Sequence, residues 1–557
     1  MLRRPRRSSG IKYYAVSRSS AASPGVSYSM ETAGSQSIDG RCNVADDEEI
    51  LTDLCIVGAG PIGITIAREL DSRGVRICLL EAGGRDIERR FQRQSRGESN
   101  GYPIYRLDGS RVRAFGGTLR HPRIRDAGWA ARPLAPIDFE PRRGLPGFGW
   151  PFDRKHLDPY YGRAATTCGI RPFDVAYDIW SKQAPAEGLS LEGSELEPSI
   201  FQFPMTAFHD TWDVLSVSSN VRLLLETRAV ETKVDSTGRR VDSIIAVRGS
   251  RDRVVIRPRF VVFAAGGIDN ARLLLSANEG RGLGNEHDLV GRYFAERLSF
   301  HAGHVVLSDT TSLDQLDCFH RPDGVEISGV LRVADKVQRE RHVLNALFSL
   351  VPRPAPVTSD AVRSLTTLRK AIDRRPIIDE IGWHTRNVVT GVRDFADLAM
   401  SRIVAKPQVL ALRAQGEQAP NRESRVTLGS TRDDLGIPVA RVTWRMTDED
   451  HRSIEASAQV MDAALRSRGL GSIQWTAHLD STTLIEGNNH HLGATRMHTD
   501  PRHGVVDRDC RVHSVENLYV GGCSVFPTYG ASNPTFTIVA LAIRLADRLR
   551  DVLEKNY

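Results

Sequence analysis

The chain has 557 residues, 40% of them hydrophobic and 26% charged, with a formal charge of +7. That length supports two or three domains with cores of their own and excludes a small scaffold held by disulfides or metal. The positive excess does not mark a nucleic-acid binder, because Arg3, Arg4, Arg6, Arg7 and Arg18 crowd into the N-terminal segment and the rest is a weak, scattered bias.

Residues 1–48 are rich in Ser, Gly and Arg and poor in apolar side chains, so they read as a disordered basic tail. No apolar stretch follows the paired arginines, so a secretory signal is not expected, and Met30 is an alternative start. Cys42, Cys55, Cys78, Cys168, Cys318, Cys510 and Cys523 form no CxxC and no CxxCH, which argues against paired zinc ligation, thioredoxin-like chemistry and a c-type haem. An odd, scattered set suits a reducing cytoplasm. No run of about 18 apolar residues occurs, so no transmembrane helix is expected.

The first ordered unit begins at Leu51. LTDLCIVGAG reads as a buried strand entering a glycine turn, and PIGITIARELDSRG as a helix with Ile62, Ile66, Ala67 and Leu70 on one face and Gly74 at its end. VRICLLEAGG is a second buried strand, and the order implies a parallel sheet. The turn carries Gly58, Gly60 and Gly63 as GxGxxG, with Pro61 and Ile62 between. The first glycine permits the turn, the second lets backbone approach a pyrophosphate, and the third lets helix pack close to strand. Glu81 ends the next strand, where a carboxylate accepts hydrogen bonds from ribose hydroxyls. The unit itself fits FAD or NAD; its place near the N-terminus and the Glu-Ala-Gly-Gly that follows favour FAD.

Residues 101–165 are rich in Gly, Pro and Arg and read as long loops over another surface. Arg111, Arg113, Arg120, Arg123, Arg125 and Arg132 fall here and read as solvated or paired with local carboxylates, not as an anionic-substrate site. VRLLLETRAVETKV, VDSIIAVRG and VVIRPRFVVFAAGG read as strands, with a hairpin turn at Asp235–Arg239. From about 300 to 450 the pattern suits a second, mostly antiparallel domain. Helices are expected over Arg452–Arg468 and Thr535–Leu553.

The C-terminal segment supplies Asn489-His490, Gly493, Met497, Val505-Val506-Asp507, Asn517-Leu518, Ser524, Pro527, Asn533-Pro534 and Thr537. This pattern resembles the C-terminal signature of the glucose–methanol–choline (GMC) oxidoreductases. RAFGGTL, RPLAPIDFE and GWPFDRKHLDPYY are similar to that family's flavin-covering segments, and FAAGGIDNARLLL and NEHDLVGRYF resemble further family blocks. The likeness covers most of residues 50–548, is thinnest between about 300 and 415, and has the character of the bacterial branch similar to pyranose and other sugar oxidases and dehydrogenases.

The resemblance implies an α/β (α+β overall) fold: an FAD-binding Rossmann-like domain and a substrate domain on an antiparallel sheet. Residues 49–300 would form the first part of the FAD domain, 301–480 mainly the substrate domain, and 481–557 would complete the FAD domain and active site. It implies FAD contacts from Gly58, Gly60, Pro61, Ile62, Gly63, Glu81, Ala82, Gly116, Gly117, Thr118, Val230, Gly266, Gly522, Cys523, Asn533, Pro534 and Thr535, and no metal. Imidazole is the natural proton acceptor near neutral pH; by resemblance His490, three residues before Gly493, is that base, and Asn533 orients the same hydroxyl. His121 stands where some sugar oxidases of the family attach flavin covalently, although Pro122 replaces the usual Trp. The expected activity is oxidation of a CH–OH group on a sugar, polyol or other small alcohol, with oxygen or an external carrier taking the electrons. Non-redox lyase or other flavin chemistry on the same scaffold is the alternative.

Overall fold

Residues 49–57 (EILTDLCIV) lack polar–apolar alternation over their second half, as a strand covered on both faces requires. In the computed structural model they form β1 (Glu49–Val57), with Leu54, Cys55 and Ile56 fully enclosed. The structure describes residues 49–555 except 72, 103, 122–128, 143–148, 178–194, 205–207, 250–251, 309–325, 352–363, 366–384, 387, 390–408 and 476–484. The basic tail, Met30, Cys42, Cys318, Arg123 and Arg125 therefore lie outside the described residues.

β1 leads through the glycine turn into helix α1 (Pro61–Asp71) and on to β2 (Ile77–Leu80). Gly58 has φ +113°, and a Cβ there would stand 2.5 Å from the Ala264 carbonyl oxygen. A Cβ at Gly63 would meet the Gly58 oxygen at 2.0 Å, so the helix lies against the strand as the third glycine permits. The first sheet adds β5 (Val221–Leu224), β6 (Thr227–Val234), β7 (Val241–Arg248), β8 (Asp252–Phe263) and β17 (Leu518–Val520). Its order is β5-β2-β1-β8-β7-β6, with β17 beside β8; the β5-β2-β1-β8 pairs and β17 are parallel, and β6–β7–β8 is an antiparallel meander.

The stretch VRLLLETRAVETKV is two strands, not one. Glu226 has φ +53° and breaks it, its N–H donating to the Gly83 oxygen, so β5 extends the parallel side and β6 the antiparallel side. Within the segment read as loops, Asp158–Cys168 is a helix with Pro159 in its first turn and Gly169 as a left-handed cap. Its four buried residues pack it against the C-terminal helix Thr535–Lys555, which also packs on α1.

The second sheet is antiparallel throughout, in the order β15 (Gly471–Trp475), β9 (Leu298–Leu307), β12 (Val409–Gly416), β11 (Ala346–Val351), β10 (Glu326–Val333), β4 (Leu196–Phe203), with β16 (Ile485–Gly487) also on β9. It takes β4 from before residue 300 and β16 from after residue 480. The helix Asp448–Ser467 lies against this sheet and starts at a capping box between Thr447 and Asp450. A small third sheet joins β13 (Arg425–Arg432), β14 (Pro438–Trp444) and β3 (Gly97–Gly101). Among the described residues, no helix is long and apolar enough to cross a membrane.

Candidate active site

A cavity of about 610 Å³ is lined by the glycine turn of the first sheet and by residues at the second sheet, among them Phe203 at the end of β4 and Arg413 of β12. Gly58, Gly60, Pro61, Ile62, Glu81 and Ala82 face it. The positive end of α1 therefore opens onto the cavity, where it favours an anionic group. Glu81 accepts hydrogen bonds from the N–H groups of Ala59 (3.1 Å) and Gly83 (2.9 Å), and burial pushes its carboxyl up to about 7.

Gly117, Thr118 and His121 line the cavity from a short 3-10 turn. Gly116 does not; its N–H donates to the Ala59 oxygen at 2.8 Å and docks that turn onto the glycine turn. Gly63 stands behind the turn. Val230 is absent from the lining as well: the pairing of β6 with β7 skips it as a bulge, and Thr227, Arg228 and Ala229 face the cavity instead. Gly266, Gly522, Cys523, Asn533, Pro534 and Thr535 all line it.

Arg111 and Arg113 donate to one oxygen of Asp269 at 2.8 and 2.9 Å, and Arg272 lies 3.9 Å from the other. Arg272 and Arg228 pair in turn with Asp433, at 2.6 and 2.9 Å. Burial pushes the Asp269 carboxyl up, but the three arginines outweigh it and hold the group well below the usual carboxylate range. Arg120 pairs with Asp86, and Arg132 is buried and donates to the hydroxyls of Ser199 and Ser532. Arg111, Arg113, Arg120 and Arg132 are thus engaged within the protein.

The other side of the cavity is built around His490. Asn489 sits in the left-handed region (φ +60°), a conformation that Asn tolerates, and turns the chain so that the His490 N–H donates to Glu296 Oε2 at 2.8 Å. Glu296 is fully buried and also accepts from the Tyr105 hydroxyl; burial pushes its carboxyl up to about 7. His490 Nδ1 accepts from Arg297 Nε at 3.3 Å, and Nε2 has no partner among the described residues. Burial, reinforced by the Arg297 charge, holds this imidazole well below its ordinary value, so it is neutral.

His491 also lines the cavity. Its Nε2 is buried without a hydrogen bond, 3.7 Å from Glu296 Oε1, and burial together with the Arg111 charge pushes the ring down to about 3. Asn533 Nδ2 donates to the Ala130 oxygen at 3.0 Å, whereas Oδ1 is buried and unsatisfied. The Trp129 indole N–H is unsatisfied too, and Trp129 and Ala130 both line the cavity. Buried polar atoms without partners are rare, and those at a cavity wall are sites for ligand atoms.

Residues 420–542 match the GMC oxidoreductase family. This part of the chain is similar to the GMC oxidoreductases. The chain is 24% identical to 2-methyl-1,2-propanediol dehydrogenase of Mycolicibacterium austroafricanum, over 91% of this chain and 97% of that protein. It is 26% identical to paromamine 6'-oxidase of Streptomyces fradiae, over 90% and 91%. The solved pyridoxine 4-oxidase from Mesorbium loti shares the fold with a TM-score of 0.54 at 16% identity, covering 90% of this chain and 99% of that one.

FAD is the cofactor of GMC oxidoreductases, and the residues present fit it. The glycine turn leaves room that a side chain would fill, the positive end of α1 faces that room, and Trp129 Nε1 and Asn533 Oδ1 are buried polar atoms left for a ligand. Glu296, Arg297, Tyr105 and Trp129 were not marked by the sequence. Arg297 stands three residues beyond the NEHDLVGRYF block and 193 residues from His490, and no local pattern links two positions so far apart.

Proposed function

We propose that the chain oxidises a CH–OH group of a small molecule, with His490 taking the hydroxyl proton and Asn533 holding the same hydroxyl. The observation that supports this reading is a pair of polar groups at one cavity wall without a partner among the described residues: Nε2 of the neutral His490 imidazole and the amide oxygen of Asn533. The hydroxyl proton goes to the imidazole, a hydride leaves the carbinol carbon, and the alcohol becomes a carbonyl. FAD, when bound, supplies the hydride acceptor that no side chain can provide. The Ala130 oxygen fixes the amide plane of Asn533, so Oδ1 is held ready for the substrate. Glu296 holds the His490 backbone N–H. The relatives include a 2-methyl-1,2-propanediol dehydrogenase and a paromamine 6'-oxidase by name, which supports a CH–OH donor. His121 lines the cavity and is the residue through which a covalent flavin link would run.

Anaerobic addition of sugars, diols and simple alcohols to the flavin-loaded protein tests the reading. Bleaching of the oxidised flavin bands by an alcohol is the expected result. Bands that survive every alcohol, in protein that retains FAD, would move the scaffold to non-redox chemistry.

A further inference from the structure

Arg297 is only 4% exposed, yet it has no carboxylate partner among the described residues. Its Nε donates to His490 Nδ1, and its Nη1 donates to Gln415 and to the Ala531 oxygen at 3.3 Å. Nη2 has no hydrogen-bond partner among the described residues, and Arg297 lines the cavity. Glu296, next in the chain, makes its hydrogen bonds to the Tyr105 hydroxyl and the His490 N–H; its charge favours the guanidinium but does not offset burial, which pushes Arg297 down to about 9. This contrasts with Arg111, Arg113, Arg228 and Arg272, each of which faces an aspartate. A buried guanidinium without a counter-charge is costly unless a ligand supplies one.

The position of Arg297 places that missing charge. The guanidinium touches His490 on one side and, through Ala531, the segment that carries Asn533 on the other. A hydroxyl held between His490 and Asn533 therefore has the free N–H of Arg297 beside the carbon that bears it. Arg297 also limits His490 in the absence of substrate. A ring nitrogen that accepts a hydrogen bond carries no proton, so the neutral ring holds its proton on Nε2. For Nε2 to take the substrate proton, Nδ1 must carry the hydrogen and the Arg297 donor must turn aside. An anion bound by Arg297 does both, drawing the guanidinium toward itself and cancelling the charge that opposes an imidazolium.

We propose, building on the oxidation reading above, that the substrate of this site is a hydroxy acid whose carboxylate, next to the reacting carbinol, is bound by Arg297. Guanidinium recognises carboxylate through paired N–H donors, which gives geometry as well as charge. Arg297 is then a specificity-determining residue, and the anion it binds frees His490 to act as the base.

The test uses matched sets on the FAD-loaded protein: lactate, 1,2-propanediol and 1-amino-2-propanol, then gluconate, glucitol and 1-amino-1-deoxyglucitol. Anaerobic flavin bleaching and steady-state rates are read for each. Acids are expected to exceed their neutral partners in kcat/KM by at least about tenfold, the scale of one charge-assisted contact, and amines to be poorest. Arg297→Gln removes the preference for acids, and Arg297→Lys restores part of it. Binding is read separately with 2-hydroxy-2-methylpropanoate, which has no hydrogen on its carbinol carbon and cannot be oxidised, against tert-butanol. It should perturb the flavin spectrum of the wild-type protein at a concentration at least about tenfold lower than in Arg297→Gln. Neutral or amino alcohols that bleach the flavin best, with no difference between the wild-type protein and Arg297→Gln, would overturn the inference and leave the oxidation reading standing. Carboxylate binding that depends on Arg297 without bleaching by any alcohol would do the reverse. No carboxylate binding and no bleaching would remove both.

Discussion

The two sides of the cavity manage charge in opposite ways. On the side of Asp269, Arg111, Arg113, Arg228 and Arg272 each pair with Asp269 or Asp433, so four positive charges are partly balanced by two negative ones within the protein. On the side of His490, Arg297 lacks a counter-ion, and Asn533 Oδ1 and Trp129 Nε1 lack partners among the described residues. The first side has its arginines paired as folded, although Asp269 Oδ1 and Arg228 Nε make no hydrogen bond among the described residues. The second is completed by what binds there. The difference between the two sides therefore lies in which arginines the fold supplies with a carboxylate.

The comparison is broken most severely at the glycine turn. Gly58→Val places a side chain against the Ala264 oxygen at a φ that valine avoids, so the purified protein should lack flavin, as its absorbance spectrum would show. Flavin retained at full stoichiometry would mean that the turn is not the pyrophosphate site.

On the reacting side, His490→Ala should keep FAD and lose about 10²–10⁴ in turnover, the usual worth of a positioned acid–base group. Stopped-flow reduction with a bleaching alcohol measures it. The same loss in His491→Ala but not in His490→Ala would assign the base to the neighbouring histidine.

Asp269→Asn attacks the balanced side and should lower stability by about 3–5 kcal/mol, because Arg111 and Arg113 stay buried without their anion. Thermal unfolding with and without added FAD measures it. The depressed carboxyl fixes the sign with pH: its stabilisation is fully present above the unfolded value of about 4 and is lost as pH falls through the lower folded value. The difference between the wild-type protein and Asp269→Asn should thus shrink only in acid.

The smallest effect is expected from Glu296→Gln. Burial pushes the carboxyls of both Glu296 and Glu81 up to about 7 and holds His490 well below its ordinary value, so an inflection of kcat/KM near pH 7 is expected from a carboxyl, and the Glu296 variant decides which. The inflection should vanish in Glu296→Gln with only a modest change in the limiting rate. An inflection that persists would assign it to another group and weaken the account of the His490 environment.

Much of this molecule was legible as sequence because its signals are local. The strand–glycine–helix–strand unit announces itself through residue type, since only glycine fits where backbone meets backbone at Gly58 and Gly63. The C-terminal block that contains His490 and Asn533 is one continuous pattern, and both residues do line one cavity. Single-residue effects escaped. Glu226 splits an apparently continuous strand, and Val230, named for its position in the family pattern, falls at a bulge and leaves the cavity wall to Ala229. The helix Asp158–Cys168 was hidden among Gly, Pro and aromatic residues because tertiary packing against the C-terminal helix, not amphipathic pattern, sustains it.

The amino-acid sequence by itself determined the glycine turn, the acidic end of β2, the helix at the C-terminus and the histidine–asparagine pair, because each rests on neighbours in the chain. Only the tertiary structure decided which arginines are spent and which is left. Arg111 finds Asp269 across 158 residues, and Arg297 reaches His490 across 193 without finding a carboxylate. Whether a buried charge has a partner depends on side chains brought together by the whole fold, and no stretch of sequence around Arg297 contains that information.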